Sequence, residues 1–255
     1  MLITVDNLVE GARHAEGLVV IADIFRHTTF QATLLHLGAS AIYPVTDPEM
    51  ANILRDALTF EGRKAYLGGE MNGQTPDFYD FNHSPLDIME RADEINGNPV
   101  VVTSTNGALG IRAAAEALHE KAATEVLTAC FHNYLPVAQY ILAKNPDKVT
   151  IVGMGEILDP EIGRVPSPED EGFAWALKAF LEGEDPLLDQ LTYELQSCVT
   201  ADMMREIFGP GIEKEIAYCL NHQIQYNVVP RLDGARIVNA YETKPEEHKP
   251  IPEEA

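Results

Sequence analysis

Short apolar runs alternate with amphipathic stretches over roughly the first 155 residues. Runs rich in Val, Ile, Leu and Ala lie at Leu18–Ala22, Ala41–Val45, Lys64–Leu67, Val100–Thr103, Glu125–Thr128 and Val149–Val152. None alternates cleanly with polar residues, as expected of strands buried on both faces. The N-terminal MLITV is also strand-like. Helical periodicity falls between most of these runs, at Thr29–Leu37, Pro48–Leu58, Leu86–Ile95, Leu109–His119 and Tyr134–Leu142. This order predicts a three-layer α/β/α fold with a mixed, largely parallel sheet. In such folds ligands bind beyond the carboxyl ends of the strands.

Helix starts are marked by a capping residue followed by proline: Asp47-Pro48, Ser84-Pro85 and Ser167-Pro168. The C-terminal third changes character. Residues 168–222 read as three or four helices broken at Gly183, Gly209 and Gly211. A strand pair follows at Tyr226–Val229 and Ala235–Asn239, with Asp233-Gly234 as its turn. Residues 1–240 are expected to form a single α/β domain. Residues 241–255, acidic and Pro-rich, are expected to be a disordered tail.

Charge narrows the function. The 255 residues carry 18 Lys plus Arg against 40 Asp plus Glu, a formal net charge of −22. Both halves share the excess, so a nucleic-acid partner is excluded as an expectation, and an anionic membrane surface is disfavoured. No apolar stretch approaches the ~20 residues of a membrane span, and no signal peptide is visible at the N-terminus. Cys130, Cys198 and Cys219 form neither a disulfide framework nor a zinc pattern. They read as thiols of a reducing cytoplasm. The sequence fixes no oligomeric state, although homodimers are common for α/β enzymes of this size.

Four segments crowd polar residues at predicted strand ends. In ADIFRHTT, Asp23 suits a cation, while Arg26 and a helix start bearing Thr28 and Thr29 suit an anion. The bland alternative is a helix cap. In GGEMNG, Glu70 lies among three glycines, implying unusual backbone angles or a close approach. In TSTNGA, Ser104, Thr105, Asn106 and Gly107 open a helix, where free N–H groups and the dipole favour phosphate, or where side chains merely cap. In VPSPEDEG, Glu169, Asp170 and Glu171 occupy a first helical turn. Acids are favoured there, yet three in a row repel one another, which a divalent cation would relieve. Signatures of P-loops, dinucleotide folds and serine-hydrolase elbows are missing.

Taken together and in this order, the four segments resemble the magnesium-dependent 2-phosphosulfolactate phosphatase family. That family carries Asp-x-x-Arg-x-Thr/Ser-Thr/Ser, matched by Asp23, Arg26, Thr28 and Thr29. Its Gly-Glu-Arg loop and Phe-Asp-x-Gly-Asn-Ser-Pro motif correspond to Gly69 and Glu70, then Asp80, Ser84 and Pro85. Its Thr-Thr-Asn-Gly-Thr matches Ser104, Thr105, Asn106 and Gly107, and its later Glu-Asp matches Glu169 and Asp170. Four positions depart from it: Met71 for Arg, Asn82 for Gly, His83 for Asn and Ala108 for Thr. Losing an Arg removes a bidentate anion partner; His83 adds a hydrogen-bonding or acid/base group, or only fills shape.

The resemblance implies hydrolysis of a small anionic phosphate ester, 2-phosphosulfolactate, with Mg²⁺ as cofactor. It implies Asp23, Arg26 and Glu70 as catalytic residues. Thr28, Ser84, Ser104, Thr105, Asn106 and Gly107 would bind substrate. Asp23, Glu70, Glu169 and Asp170 would hold metal. A covalent phosphoryl-Asp23 stays open, as do a different phosphorylated hydroxy acid as substrate and a diverged, non-catalytic anion-binding protein.

Overall fold

The computed structural model describes residues 1–60, 64–159, 161 and 163–241; the acidic Pro-rich segment beyond residue 241 lies outside them. Eleven strands and eleven α-helices follow in chain order. These are β1 (Leu2–Asn7), α1 (Leu8–Arg13), β2 (Gly17–Ala22), α2 (His27–His36), β3 (Ala41–Val45), α3 (Pro48–Phe60), β4 (Tyr66–Gly69), α4 (Pro85–Met89), α5 (Ala92–Ile95), β5 (Pro99–Thr103) and α6 (Gly107–His119). Then come β6 (Ala123–Thr128), α7 (Tyr134–Lys144), β7 (Lys148–Gly153), β8 (Glu156–Asp159), β9 (Gly163–Val165), α8 (Pro168–Leu181), α9 (Leu188–Leu195), α10 (Val199–Phe208), α11 (Glu213–Cys219), β10 (Pro230–Asp233) and β11 (Arg236–Asn239).

Nine strands make one mixed, mostly parallel sheet in the order β1-β7-β2-β6-β10-β11-β3-β5-β4, the expected α/β/α class. Two parallel groups, β1-β7-β2-β6 and β3-β5-β4, are joined by the antiparallel hairpin β10–β11. Each junction is one residue pair, Arg231↔Leu127 and Ile237↔Ile42, and both are antiparallel. The ladder sense therefore reverses three times between β6 and β3. A flat sheet would send the carboxyl ends of the two groups to opposite edges. They nevertheless line one cavity, as the twist accumulated across the intervening strands allows.

The strand centres β2, β5 and β7 are buried on both faces, which explains their unbroken apolar character. Helix α2 is buried from His27 through Leu35. A helix with no solvent face needs no apolar stripe, and its sequence HTTFQATLLH has none. Its threonines satisfy their hydroxyls locally: Thr28, Thr29 and Thr33 donate to the carbonyls of Asp23, Ile24 and Thr29 at 2.8, 3.0 and 2.9 Å.

Several expectations need correction. The predicted helix Leu86–Ile95 is two short helices, α4 and α5. Between them Arg91 turns back to donate to the Asp80 carbonyl at 2.7 Å and stacks over Phe81. The first hairpin strand lies at Pro230–Asp233, not Tyr226–Val229; the Tyr226 amide is drawn instead to the His132 carbonyl. Helix α1 and the β8–β9 hairpin had no sequence signal strong enough to be recognised. Cys130 and Cys219 are buried, Cys198 is half-buried, and none is disulfide-bonded.

Candidate active site

A cavity of about 250 Å³ opens where β2, β4 and β5 end. Its polar wall contains Asp23, Arg26, Glu70, Ser104, Thr105, Asn106, His83 and Glu156. Its apolar wall contains Phe25 and Ile157, with Met203, Met204, Ile207 and Phe208 from α10. Segments more than 180 residues apart thus meet at one spot, as strand-end geometry predicts.

Glu70 closes its own loop. Oε1 accepts from the Thr105 amide at 2.7 Å, and Oε2 accepts from the Thr105 hydroxyl at 2.8 Å and the Gly73 amide at 2.7 Å. The preceding Gly69 has φ +118°, and a Cβ there would lie 2.1 Å from the Thr103 carbonyl oxygen. The close approach expected of the glycine loop is therefore to the neighbouring strand β5. At the start of α6, Gly107 packs against the His27 ring; a Cβ there would lie 2.2 Å from the imidazole. The starts of α2 and α6 meet only because this residue has no side chain.

The amides around Ser104–Gly107 are expected to hold phosphate, but three of them, those of Thr105, Asn106 and Gly107, already have partners within the protein. Thr105 N–H goes to Glu70. Those of Asn106 and Gly107 go to Ser104 Oγ, at 3.4 and 3.2 Å. Accepting two amides leaves Ser104 its own O–H to donate into the cavity it lines. Thr28 is occupied differently: its Oγ1 accepts from the Asp23 amide at 3.1 Å and stands outside the cavity wall. Ser84 caps α4 through the Asp87 amide and donates to Glu215 at 2.5 Å.

Asp23 is nearly unsupported. Oδ1 accepts one backbone bond, from His27 N–H at 3.2 Å. Burial first, and then the charges of Asp170, Glu156 and Glu70, hold its carboxyl well above the usual range. Asp170 stands behind it, accepting from the Ile24 amide at 2.7 Å and the Gly155 amide at 2.9 Å. Burial raises Asp170 as well, and burial together with Asp170 raises Glu169. Glu169 and Asp170 are both buried in the first turn of α8. The four expected metal ligands thus divide: Asp23 and Glu70 face the cavity, whereas Glu169 and Asp170 lie behind it. Among the described residues, no three His, Cys, Asp or Glu side chains already form a metal cage.

Three participants escaped sequence reasoning. Glu215 on α11 is the ion-pair partner of Arg26, whose guanidinium also lies 4.6 Å from the Phe208 ring centroid. Its signal was present: Ile212, Glu215, Ile216 and Cys219 share one helix face, and an acid on an apolar stripe needs a partner. Glu156 accepts from Asn106 Nδ2 at 3.1 Å, and Arg164 donates to Asn106 Oδ1 at 2.7 Å. Both come from the unrecognised β8–β9 hairpin. Met71 pairs its backbone with Gln74 and is not part of the cavity wall.

A family model described as 2-phosphosulpholactate phosphatase matches residues 3–235. A Caldanaerobacter subterraneus protein named "Probable 2-phosphosulfolactate phosphatase" is 32% identical over 230 residues, 85% of this chain and 88% of the relative. A Thermoplasma acidophilum protein of the same name is 28% identical over 223 residues, 87% and 88% of the two chains. One from Clostridium acetobutylicum is 31% identical over 251 residues, 93% and 98% of the two. With a model spanning nearly its whole length and relatives of matching extent, the chain belongs to the 2-phosphosulpholactate phosphatase family.

Proposed function

We propose that this protein is a Mg²⁺-dependent phosphatase hydrolysing 2-phosphosulfolactate to sulfolactate and inorganic phosphate. Family membership supports the reaction. The observation that carries the site is the convergence of Asp23, Arg26 and Ser104 on one cavity. Arg26, oriented by Glu215 and Phe208, pairs with phosphoryl oxygens. The Ser104 hydroxyl adds a neutral donor. Glu70, Thr105 and Asn106 hold the wall in shape through bonds already made.

The donor set fits a hard divalent cation. Asp23, Glu169 and Asp170 are buried carboxylates without a cationic partner among the described ion pairs. Mg²⁺ keeps several waters and binds through one or two carboxylates plus substrate phosphate, so it needs no preformed cage. Asp23 would hold it from the cavity wall, with Glu70 and Glu156 flanking and the α8 acids behind. Bound there, it would neutralise phosphoryl charge and ease deprotonation of water.

The test is phosphate release from 2-phosphosulfolactate. Release is expected with Mg²⁺ and not after chelation. A second reading, a phosphorylated hydroxy acid without sulfonate, is favoured by Arg26 being the one cation on the cavity wall among the described residues and by the apolar side from α10. Release from such an ester but not from 2-phosphosulfolactate selects it. Binding of either ester without any release would leave an anion-binding protein.

A further inference from the structure

Two buried histidines have no task in this reading. Nδ1 of His27 lies 3.2 Å from Nε2 of His83. Nε2 of His27 lies 3.0 Å from the amide nitrogen of Gln31. The Gln31 oxygen accepts from the Thr128 hydroxyl at 2.9 Å. All four side chains are buried, with His83 only 3% exposed.

This chain of bonds has a direction. The Gln31 nitrogen can only donate, so His27 Nε2 accepts. A neutral imidazole that accepts at Nε2 carries its proton on Nδ1. That proton is donated to His83 Nε2, which is therefore bare. His83 must then carry its own proton on Nδ1. This is the ring nitrogen without a protein partner among the described residues, on a side chain that lines the cavity. Both rings are singly protonated in this arrangement, since a doubly protonated His27 could not accept from Gln31 and a doubly protonated His83 could not accept from His27.

We propose that His83 is a substrate-binding residue, held by His27 and Gln31 as the Nδ1–H tautomer and donating a hydrogen bond to an anionic oxygen of the ligand. The identity of that ligand as a phosphate ester rests on the phosphatase reading; the tautomer does not. The role answers a shortage in the cavity. The Thr105, Asn106 and Gly107 amides are consumed, Arg26 is shared with Glu215, and three carboxylates line the wall. A neutral N–H adds anion affinity without another charge to balance. The family motif has Asn here, whose amide can turn either its donor or its acceptor to the ligand. The histidine relay removes that choice.

The experiment uses the full chain labelled with ¹⁵N-histidine. Two-bond ¹⁵N–¹H correlation spectra, assigned with His83→Asn, should show His83 protonated at Nδ1 and bare at Nε2. Titration with Mg²⁺ and inorganic phosphate, the product of any phosphatase, should shift the Nδ1–H resonance. His83→Phe should weaken phosphate binding about tenfold, the usual loss for a hydrogen bond to a charged group, whereas His83→Asn should stay within about threefold. A proton on Nε2, or an Nδ1–H resonance unmoved at saturating phosphate, overturns the proposal, and neither readout requires a folded variant beyond the assignment. Failure to hydrolyse 2-phosphosulfolactate, with the tautomer and phosphate shift present, would overturn the substrate reading alone.

Discussion

The two carboxylates that face the cavity live in opposite circumstances. Glu70 accepts three short hydrogen bonds from its own loop and from Thr105. Asp23 accepts one long one and sits among Asp170, Glu156 and Glu70. Both are buried, so burial does not separate them; partners do. A buried carboxylate with full donors is part of the architecture. One that lacks them is a charge deficit that persists only where a ligand or a role makes up for it. Two acids of equal standing in the sequence thus become a structural tie and a reactive centre.

The comparison is broken most directly at Asp23. Asp23→Asn should lower turnover by about 10³-fold while raising the melting temperature of the metal-free protein at pH 8, because a strained charge is removed. A variant that melts lower and still turns over would assign Asp23 to the architecture. Glu70→Ala should do the reverse. It strands the Thr105 and Gly73 donors and should cost about 3 kcal/mol in denaturant unfolding, with any activity loss following from loop disorder. Unchanged stability would remove Glu70 from its structural part.

The smallest effect is in pH. Asp23, Glu169 and Asp170 bind protons more tightly folded than unfolded. Their contribution is fully present below the unfolded value near ~4 and is lost as pH rises through the folded values. His27, His83 and His132 bind protons less tightly when folded, so stability rises with pH up to the unfolded value near ~6.5. The groups oppose each other below that pH, and above it only the carboxylates act. The metal-free protein should therefore lose melting temperature between pH 6.5 and 8. Mg²⁺ must displace those protons to bind, so its stabilisation should be larger at pH 8 than at pH 6. Equal shifts at both would argue that the cation does not meet this cluster.

What the chain order made legible was local: most strands, the helix starts and the polar residues at strand ends, but not helix α1 or the β8–β9 hairpin. Asp47 accepts from the Met50 amide and Ser84 from the Asp87 amide, where cap and proline had marked helix starts. Asp23, Glu70 and Ser104 stand at strand ends because buried apolar runs stop immediately before them. The missing parts are tertiary. Nothing near Arg26 in sequence names Glu215, 189 positions away. Nothing near Asn106 names Glu156 or Arg164, since a short polar hairpin has no periodicity to detect. The occupied amides at Ser104–Gly107 were hidden for the same reason: whether a helix start is open depends on which side chains have reached it first.

The hairpin β10–β11 has a consequence for the order of events during synthesis. It contains the last two strands of the described chain, yet it stands in the middle of the sheet. While those residues are still inside the ribosome, the β6 and β3 edges that the hairpin covers in the finished sheet have no partner to pair with. Open edges of this kind invite intermolecular pairing, and their closure waits on contacts of long sequence separation. Asp23 belongs to one parallel group of the sheet and Glu70 to the other, so the cavity acquires its fixed shape only when the final strands slot between them.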